Sequence, residues 1–217
     1  MKPQHLFVMA LTCASSAWAT SPPVPTTCVN TGPTRECIAP TPMPVPPTAP
    51  LSVRPAPPSG NLLVNGSFEQ PALATGAWQV FNAIPGWVVV DGPGVEIQRG
   101  AAGPAQHGEQ LVELDSHANS AMVQAVAVQA GVVYELRFWT MARPGTTADT
   151  NGLDVFVNDV RVHRVRHTEA PGFQEVRLRW TAGPDGAVAV LRFEASGCSD
   201  SLGSYLDNVS WRAVGRP

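Results

Sequence analysis

Apolar and polar residues alternate along several stretches of the chain, a pattern that is typical of strands with one buried and one exposed face. In segment 133–140, Tyr134, Leu136 and Phe138 fall on one face, and charged residues with one tryptophan fall on the other. Segment 173–180 repeats the pattern with apolar residues at every second position. Because successive side chains of a strand point to opposite sides, each segment is expected to cover a core with one face only.

Turn-forming residues separate these segments, and no stretch keeps the period of an amphipathic helix. Gly183-Pro-Asp-Gly186 precedes a third alternating segment, 189–194, and Ala130-Gly131 precedes segment 133–140. Short alternating segments with turn signals between them predict an all-β fold. Since each segment has one apolar face, we predict two antiparallel sheets that cover each other as a β-sandwich.

Two further segments bracket this region. The opening segment, 61–69, reads Asn-Leu-Leu-Val-Asn-Gly-Ser-Phe-Glu, and the closing segment, 205–210, reads Tyr-Leu-Asp-Asn-Val-Ser. Each has alternating apolar residues and one carboxylate, Glu69 or Asp207, so we expect the first and last strands of the sandwich to lie near each other. Such a frame could hold a metal ion, because carboxylates are hard oxygen ligands.

Three motifs lie between these segments, in the order Ile84-Pro-Gly-Trp87, Gly94-Val-Glu-Ile-Gln98 and Val112-Glu-Leu-Asp115. With the opening and closing segments, they resemble the galactose-binding-like β-jelly rolls, and in particular domain-of-unknown-function family 642. The wider group is similar to several families of carbohydrate-binding modules. The resemblance covers residues 61–213, before a short tail at 214–217, and it implies a jelly-roll binding domain.

The resemblance also implies a structural calcium ion between the opening segment and the last strand. Glu69 and Asp207 are the expected ligands, and Asn65 could add an amide oxygen, because calcium takes six to eight oxygen ligands. The alternative is that no ion is bound. Glu69 would then accept backbone hydrogen bonds and Asp207 would cap a turn.

The N-terminus has the parts of an export signal. Lys2 is followed by an apolar run from Leu6 to Ala14 and by the small-residue site Ala17-Trp-Ala19. We predict a signal peptide at 1–19, and hence an exported protein that is periplasmic, secreted or at the cell surface. The alternatives are an amphipathic first helix and a lipoprotein at Cys13, where the usual leucine three places earlier is missing.

Residues 20–60 are predicted to form a proline-rich linker, because each proline fixes φ and removes a hydrogen-bond donor. Cys28 and Cys37 flank Gly32-Pro33, and an oxidising compartment would let them form a disulfide. Cys198 is then unpaired. Once Cys13 is removed with the signal, three cysteines remain and allow three single pairings, of which proximity favours Cys28 with Cys37.

Charge excludes one class of partner. The net charge is −3, from 14 Lys and Arg against 17 Asp and Glu, and the arginines alternate with acids instead of clustering. A surface that follows nucleic-acid phosphates needs an excess of basic residues, so no nucleic-acid partner is predicted.

No stretch after the signal reaches the length of a membrane span, so no membrane insertion is predicted. The sequence does not specify an oligomeric state.

Outward-facing aromatic residues are candidates for ligand contact, because sugar rings present C–H faces that stack on aromatic rings. Alternation places Trp139 on the polar face of its strand, and Phe156 would join it if strand order brings the two together. Trp78 and Phe81, in a glycine-bounded early loop, form the other candidate platform. The alternating arginines and glutamates on the outward faces are interpreted as solvated surface, with a polar binding groove as the alternative.

Catalytic motifs are weak. Asp115-Ser-His117 places three triad residue types side by side, but adjacent residues of a strand point in different directions. Glu96 and Glu113 could imitate a glycosidase pair, although sequence spacing does not determine their separation in space. We therefore predict an exported, non-catalytic module that binds a polysaccharide or glycoconjugate. The alternatives are a structural or adhesive envelope protein that binds another protein and, third, a glycan hydrolase.

Overall fold

The computed structural model describes residues 28–31, 34–37, 60–166 and 172–216. The chain divides into two units, Met1–Val53 and Arg54–Pro217. In the first unit, β1 (Cys28–Thr31) and β2 (Thr34–Cys37) form an antiparallel hairpin in which Cys28 is opposite Cys37 in register. The predicted disulfide stays a prediction. The signal peptide at 1–19 and most of the linker at 20–60 lie outside the described residues.

In the described part of the second unit, all regular secondary structure is β-strand. They are β3 (Trp78–Phe81), β4 (Ala83–Ile84), β5 (Trp87–Asp91), β6 (Val95–Gln98), β7 (Leu111–Glu113), β8 (Ala121–Ala127), β9 (Val133–Met141), β10 (Gly152–Val157), β11 (Val160–Arg166), β12 (Gln174–Thr181), β13 (Val188–Ala195) and β14 (Tyr205–Gly215). They form two six-stranded sheets. The front sheet has the order β12-β9-β14-β7-β6-β3, and the back sheet has the order β11-β10-β13-β8-β5-β4. No helix in the described ranges is long and apolar enough to cross a membrane.

The core lies between the inner faces of the two sheets, as the alternation predicts. On β9, Tyr134, Leu136 and Phe138 are buried, while the residues between them are partly exposed. Phe138 meets Phe193 of the back sheet edge-on, with ring centroids 5.2 Å apart. Trp211 is fully buried. The predicted all-β, two-sheet antiparallel sandwich is therefore confirmed.

The opening segment departs from the prediction, because residues 61–69 form no strand. They lie beside β14 as an irregular segment. Leu62 N donates to Trp211 O at 2.9 Å, and Val209 N donates to Gly66 O at 2.7 Å. The Asn61 side chain adds contacts to the same strand, since its Oδ1 accepts from Trp211 N at 2.9 Å. The two ends of the domain are thus neighbours, as expected, but side-chain contacts and single hydrogen bonds replace a regular ladder.

Candidate functional site

A cleft of about 330 Å³ opens on the outer face of the front sheet and is called here the Trp78 cleft. Residues of β3 and β6 line it, together with residues of the loops that follow β6, β7 and β9 and of the loop that precedes β14. The lining side chains that can meet a ligand or support its contacts are Trp78, Glu96, Gln98, His117, Arg143 and Ser201. The cleft therefore combines one large aromatic ring with several polar groups.

Trp78 is exposed because β3 is the edge strand of the front sheet. It is opposite Gln98 on β6, and 55% of its surface is accessible. Phe81, three residues later, is opposite Val95 and packs against the core. The sequence predicts that Trp78 and Phe81 share one loop as a joint platform. That arrangement is wrong, because the two lie on a strand and an odd spacing puts them on opposite faces.

A buried polar network forms the floor of the cleft. Gln98 is its central residue, and 1% of its surface is accessible. Its Nε2 donates to Glu96 Oε1 at 2.8 Å and to Glu113 Oε2 at 2.6 Å. Its Oε1 accepts from the Tyr205 hydroxyl at 3.2 Å. With both ends of its amide engaged, Gln98 is held in one orientation, and the floor is rigid.

Glu113 is fully buried behind this floor. It accepts hydrogen bonds from Gly203 N at 2.7 Å and from Arg143 Nη1 at 2.8 and 3.0 Å. Burial raises the pKa of Glu113 to about 7, against the opposing effects of those two donors. Burial also raises the pKa of Glu96, which is opposite Glu113 in register. The two carboxylates are thus neighbours, but Glu113 is enclosed by protein groups and supports the wall of the cleft.

The residues of the Asp115-Ser-His117 motif have separate partners. Ser116 Oγ donates to Gly94 O at 2.8 Å, and Asp115 Oδ2 accepts from Asp200 N at 3.1 Å. His117 is exposed at the rim of the cleft. Ser116 donates its proton to a backbone carbonyl, so this arrangement differs from a triad in which histidine accepts the serine proton.

Trp139 lies on the outer face of the front sheet, as the alternation predicts. It is half-buried, and the Arg137 guanidinium covers its ring at 4.1 Å from the centroid. Phe156 lies on the outer face of the back sheet, beneath Arg192 at 3.7 Å. The proposed pairing of Trp139 with Phe156 is therefore wrong. The two strands belong to different sheets, and their outer faces are on opposite sides of the sandwich.

The outward charged residues form ion pairs, as the solvated-surface interpretation predicts. Glu175 of the front sheet contacts Arg137 and Arg177, the latter at 3.0 Å. Asp154 of the back sheet contacts the guanidinium of Arg164. These groups pair with one another on the outer faces, where Asp154 is buried by its partners, and they lie outside the residues that line the Trp78 cleft.

The two carboxylates predicted to bind calcium converge on one loop. Asp207 Oδ2 accepts from Gln106 N at 2.8 Å and from His107 N at 2.9 Å. Glu69 Oε1 accepts from Glu109 N at 3.0 Å and from Gln110 N at 3.1 Å. These contacts match the ion-free alternative, in which the carboxylates accept backbone hydrogen bonds.

Asp207 and Glu69 are also close enough for their negative charges to interact. Burial raises the pKa of Asp207 to about 6, and the negative charge of Glu69 adds to the shift. Asn65 is less suited to the role, because its amide both accepts from and donates to the backbone of Gln70. Among the described residues, no group of three or more His, Cys, Asp or Glu side chains is arranged to hold a metal ion. An ion here would depend on Glu69, Asp207 and oxygens of other types.

One part of the outer face of the back sheet is apolar, whereas Arg192 and Glu194 lie further along the same face of β13. Val88, Val90, Val188 and Val190 are between 39% and 55% exposed. Val190 is opposite Ala125 of β8, so the apolar side chains are continuous across β5, β8 and β13. Exposed apolar patches of this kind often mark interaction surfaces.

No family model matches the chain. Among curated proteins, it is 30% identical over 150 residues to the multifunctional-autoprocessing repeats-in-toxin of Vibrio cholerae serotype O1. The match covers 69% of this chain but only 3% of that protein. The similarity therefore concerns one small region of a very large relative.

Among solved structures, the arabinose-bound α-L-arabinofuranosidase MgGH51 aligns with a TM-score of 0.50 at 11% identity, over 71% of this chain and 26% of that one. The TmCBM61 module in complex with β-1,4-galactotriose aligns with a TM-score of 0.48 at 19% identity, over 71% of this chain and 99% of that one. The K1 cleaved adhesin domain of Lys-gingipain from Porphyromonas gingivalis gives 0.49 at 16% identity, over 69% and 96%. At these identities, the similarity concerns the fold.

Proposed function

We propose that the domain is a non-catalytic module that binds a glycan in the Trp78 cleft. The observation that carries this proposal is the combination of an exposed indole with a rigid polar floor. Sugars have apolar C–H faces and many hydroxyl groups, so their sites combine aromatic surface with fixed hydrogen-bonding groups. The cleft volume of about 330 Å³ is at the lower end of the usual range for ligand sites, about 300–1,000 Å³.

In this proposal Trp78 supplies the stacking surface. His117, Arg143 and Ser201, at the rim, contact the hydroxyl groups of the sugar. Arg143 is held in place by Glu113, and its side chain keeps 23% exposure toward the cleft. Binding then needs little rearrangement, because the floor and the arginine are already fixed, and a site ordered in advance loses less entropy on binding.

The charges of the cleft favour a neutral glycan. Glu96 is the one carboxylate that lines the cleft, and Arg143 is the one arginine that does so in the described residues, where it already pairs with Glu113. A uronic acid would bring its negative charge close to the buried Glu96 without meeting an unpaired arginine, which costs free energy. Polysaccharides of neutral sugars are therefore the proposed class of ligand.

The experiment is a glycan-array screen of the full chain, followed by calorimetric titration with the best neutral oligosaccharide. Trp78→Ala is expected to weaken binding at least ten-fold, which is about 1.4 kcal/mol. Trp139→Ala is the matched control, because it removes a tryptophan from the same face of the same sheet, and it should stay within about two-fold of the wild type. Wild-type affinity in Trp78→Ala would contradict the proposal.

A second candidate function, binding to another protein, is favoured by the exposed valines of the back sheet. The two functions can be separated on opposite faces of the sandwich. Replacing Val90 and Val190 by lysine adds charge to that patch and leaves the Trp78 cleft untouched. If the glycan proposal is correct, this double variant binds the oligosaccharide as the wild type does. A loss of glycan binding here would show that the ligand uses the valine face instead.

Export and calcium complete the proposal. A signal peptide at 1–19 would deliver the domain to the periplasm or beyond, where glycans of the cell envelope and surroundings are accessible. Glu69 and Asp207 would hold a calcium ion, whose role would be to stabilise the opening segment against the loop at 106–110. It would take no part in chemistry.

A further inference from the structure

A second group of oxygen atoms lies in the loops at the end of β7 and before β10 and β14. It contains the side chains of Asp115, Thr150 and Asp200 and the backbone carbonyls of Cys198 and Leu202. We call it the Asp115 cluster. The hydrogen bonds described for these residues connect them to one another and not to loop 106–110, which is the loop that Glu69 and Asp207 contact.

Acceptors outnumber donors around Thr150, which is buried. Its hydroxyl lies within hydrogen-bonding distance of Asp200 Oδ1, of Leu202 O and, at 3.5 Å, of Cys198 O. A hydroxyl has one proton and can donate to only one acceptor at a time. Three oxygens that carry negative charge or partial negative charge therefore lie around this one hydroxyl proton, and only Asp200 Oδ1 has a further donor in these contacts, Leu202 N at 3.3 Å.

Asp115 provides an independent indication. Its side chain is fully buried, and one carboxylate oxygen, Oδ2, accepts from Asp200 N at 3.1 Å. The other oxygen, Oδ1, has no hydrogen-bond partner among the described residues. Buried carboxylate oxygens almost always have a partner, because the cost of desolvation is otherwise uncompensated. The negative charge of Asp200 repels the Asp115 carboxylate, while backbone N–H groups of Asp200, Ser201 and Leu202 partly offset that repulsion.

We propose that the Asp115 cluster binds a divalent cation of the calcium type. The ligands would be the carboxylates of Asp115 and Asp200, the Thr150 hydroxyl and the carbonyl oxygens of Cys198 and Leu202, with water completing the shell. Calcium accepts such mixed oxygen ligands in irregular geometry, whereas magnesium requires a near-ideal octahedron. A cation satisfies Asp115 Oδ1 and removes the repulsion between the two carboxylates in one step.

The site would fix one wall of the Trp78 cleft. Ser201, between two residues of the cluster, lines the cleft, and its carbonyl accepts from Arg143 Nη1 at 3.4 Å. Binding of the cation would order this loop and should therefore strengthen glycan binding. That coupling rests on the proposed function, whereas the presence of the ion does not.

The test is calorimetric titration of calcium into the full chain after treatment with EDTA and buffer exchange. The protein that is titrated carries Glu69→Gln and Asp207→Asn, so that calcium binding at the Asp115 cluster is measured by itself. One calcium per chain is expected. Adding Asp200→Asn should weaken that binding at least ten-fold, and this variant should fold because Asp200 is exposed.

Asp149→Asn is the control, because Asp149 is an acidic neighbour of Cys198 whose carboxylate contacts Thr147 and the Cys198 thiol instead of the cluster. It should leave the affinity within two-fold of its parent. No calcium binding in the Glu69→Gln, Asp207→Asn background would overturn the proposal, and so would an unchanged titration in Asp200→Asn. In either case water would be the partner of Asp115 Oδ1. Glycan titration of the same proteins separates this outcome from a failure of the proposed function.

Discussion

At the scale of single residues, the position of a tryptophan in its sheet determines what it does. Trp211 is fully buried between the sheets, where its ring is 5.6 Å from Trp180 and 6.3 Å from Tyr134. Trp139 points outward under Arg137, and Trp78 is exposed on an edge strand. The same residue type thus contributes to the core, to the surface and to the candidate binding cleft.

This difference can be measured as stability. Trp211→Ala should lower the free energy of unfolding by about 3–5 kcal/mol, because it removes a large buried ring and leaves a cavity. Trp139→Ala should lower it by no more than about 1 kcal/mol, the range of an exposed cation–π contact. Denaturant titration of both variants gives the two values. Equal losses would contradict the assignment of Trp139 to the outer face.

At the scale of secondary-structure elements, the sequence predicted the strands best where one face is apolar. Segment 133–140 lies within β9, and segment 189–194 lies within β13. Segment 173–180 overlaps β12 and begins one residue before it. The opening segment, 61–69, was predicted as a strand from its alternation and is irregular. Alternation reports which side chains are apolar, and this irregular segment buries Leu63, Gly66 and Phe68 without forming a ladder.

The candidate cleft was harder to predict, because its residues come from distant parts of the chain. Trp78 was identified as a candidate, whereas Gln98 and Arg143 were not. Gln98 could have been recognised as a polar residue inside an apolar strand motif. Arg143 could not, since it lies in a loop and its role depends on Glu113, 30 positions away. Strand order, which decides such pairings, is not encoded in local spacing.

Gly66 shows how the opening segment is fixed to β14. A Cβ atom at this position would be 2.1 Å from Val209 O, so only glycine allows the backbones to approach this closely. Gly66→Ala should therefore destabilise the domain by about 1–3 kcal/mol, the usual cost of overpacking. Gly183→Ala is the control, because its Cβ would meet no atom within 4 Å. Thermal unfolding of both variants is the measurement, and an unaffected Gly66→Ala would contradict the close approach.

At the scale of the whole molecule, three fully buried carboxylates connect loops to the sheets. Glu113 supports the cleft, Asp207 holds the 106–110 loop, and Asp115 holds the loop before β14. All three are fully buried, and burial raises the pKa of each. The sandwich provides the stable frame, and these acids are the groups through which pH should act on its loops.

Calcium should accordingly change the stability of the domain. With Asp200→Asn present, so that the Asp115 cluster is disabled, EDTA should lower the melting temperature if Glu69 and Asp207 bind an ion. An ion at a hundred times its dissociation constant stabilises the folded state by about 2.7 kcal/mol. Adding Asp207→Asn should abolish the effect of EDTA. If EDTA has no effect before that change, the predicted calcium at Glu69 and Asp207 is wrong.

Without bound ions, the stability of the domain should fall as the pH rises from 5 to 8. Burial raises the pKa of Glu113 from 4.5 to about 7 and that of Asp207 from 3.8 to about 6. A carboxyl group with a raised pKa stabilises the fold fully below its unfolded pKa, and this contribution is lost as the pH rises through the folded value. Carboxylates with lowered pKa values, such as Glu175 beside Arg177, act in the opposite direction but only near or below pH 4.5.

The melting temperature measured in EDTA should therefore be lower at pH 8 than at pH 5. Each pKa unit corresponds to about 1.4 kcal/mol, and 1 kcal/mol to roughly 2–4 °C for a domain of this size, so a difference of at least about 5 °C is expected. Glu113→Gln should flatten the curve between pH 6 and 8, because glutamine does not titrate, whatever the variant's absolute stability. Glu175→Gln should keep the wild-type slope in that range, since Arg177 holds the pKa of Glu175 low. A wild-type slope in Glu113→Gln would mean that Glu113 is not the group whose ionisation opposes folding.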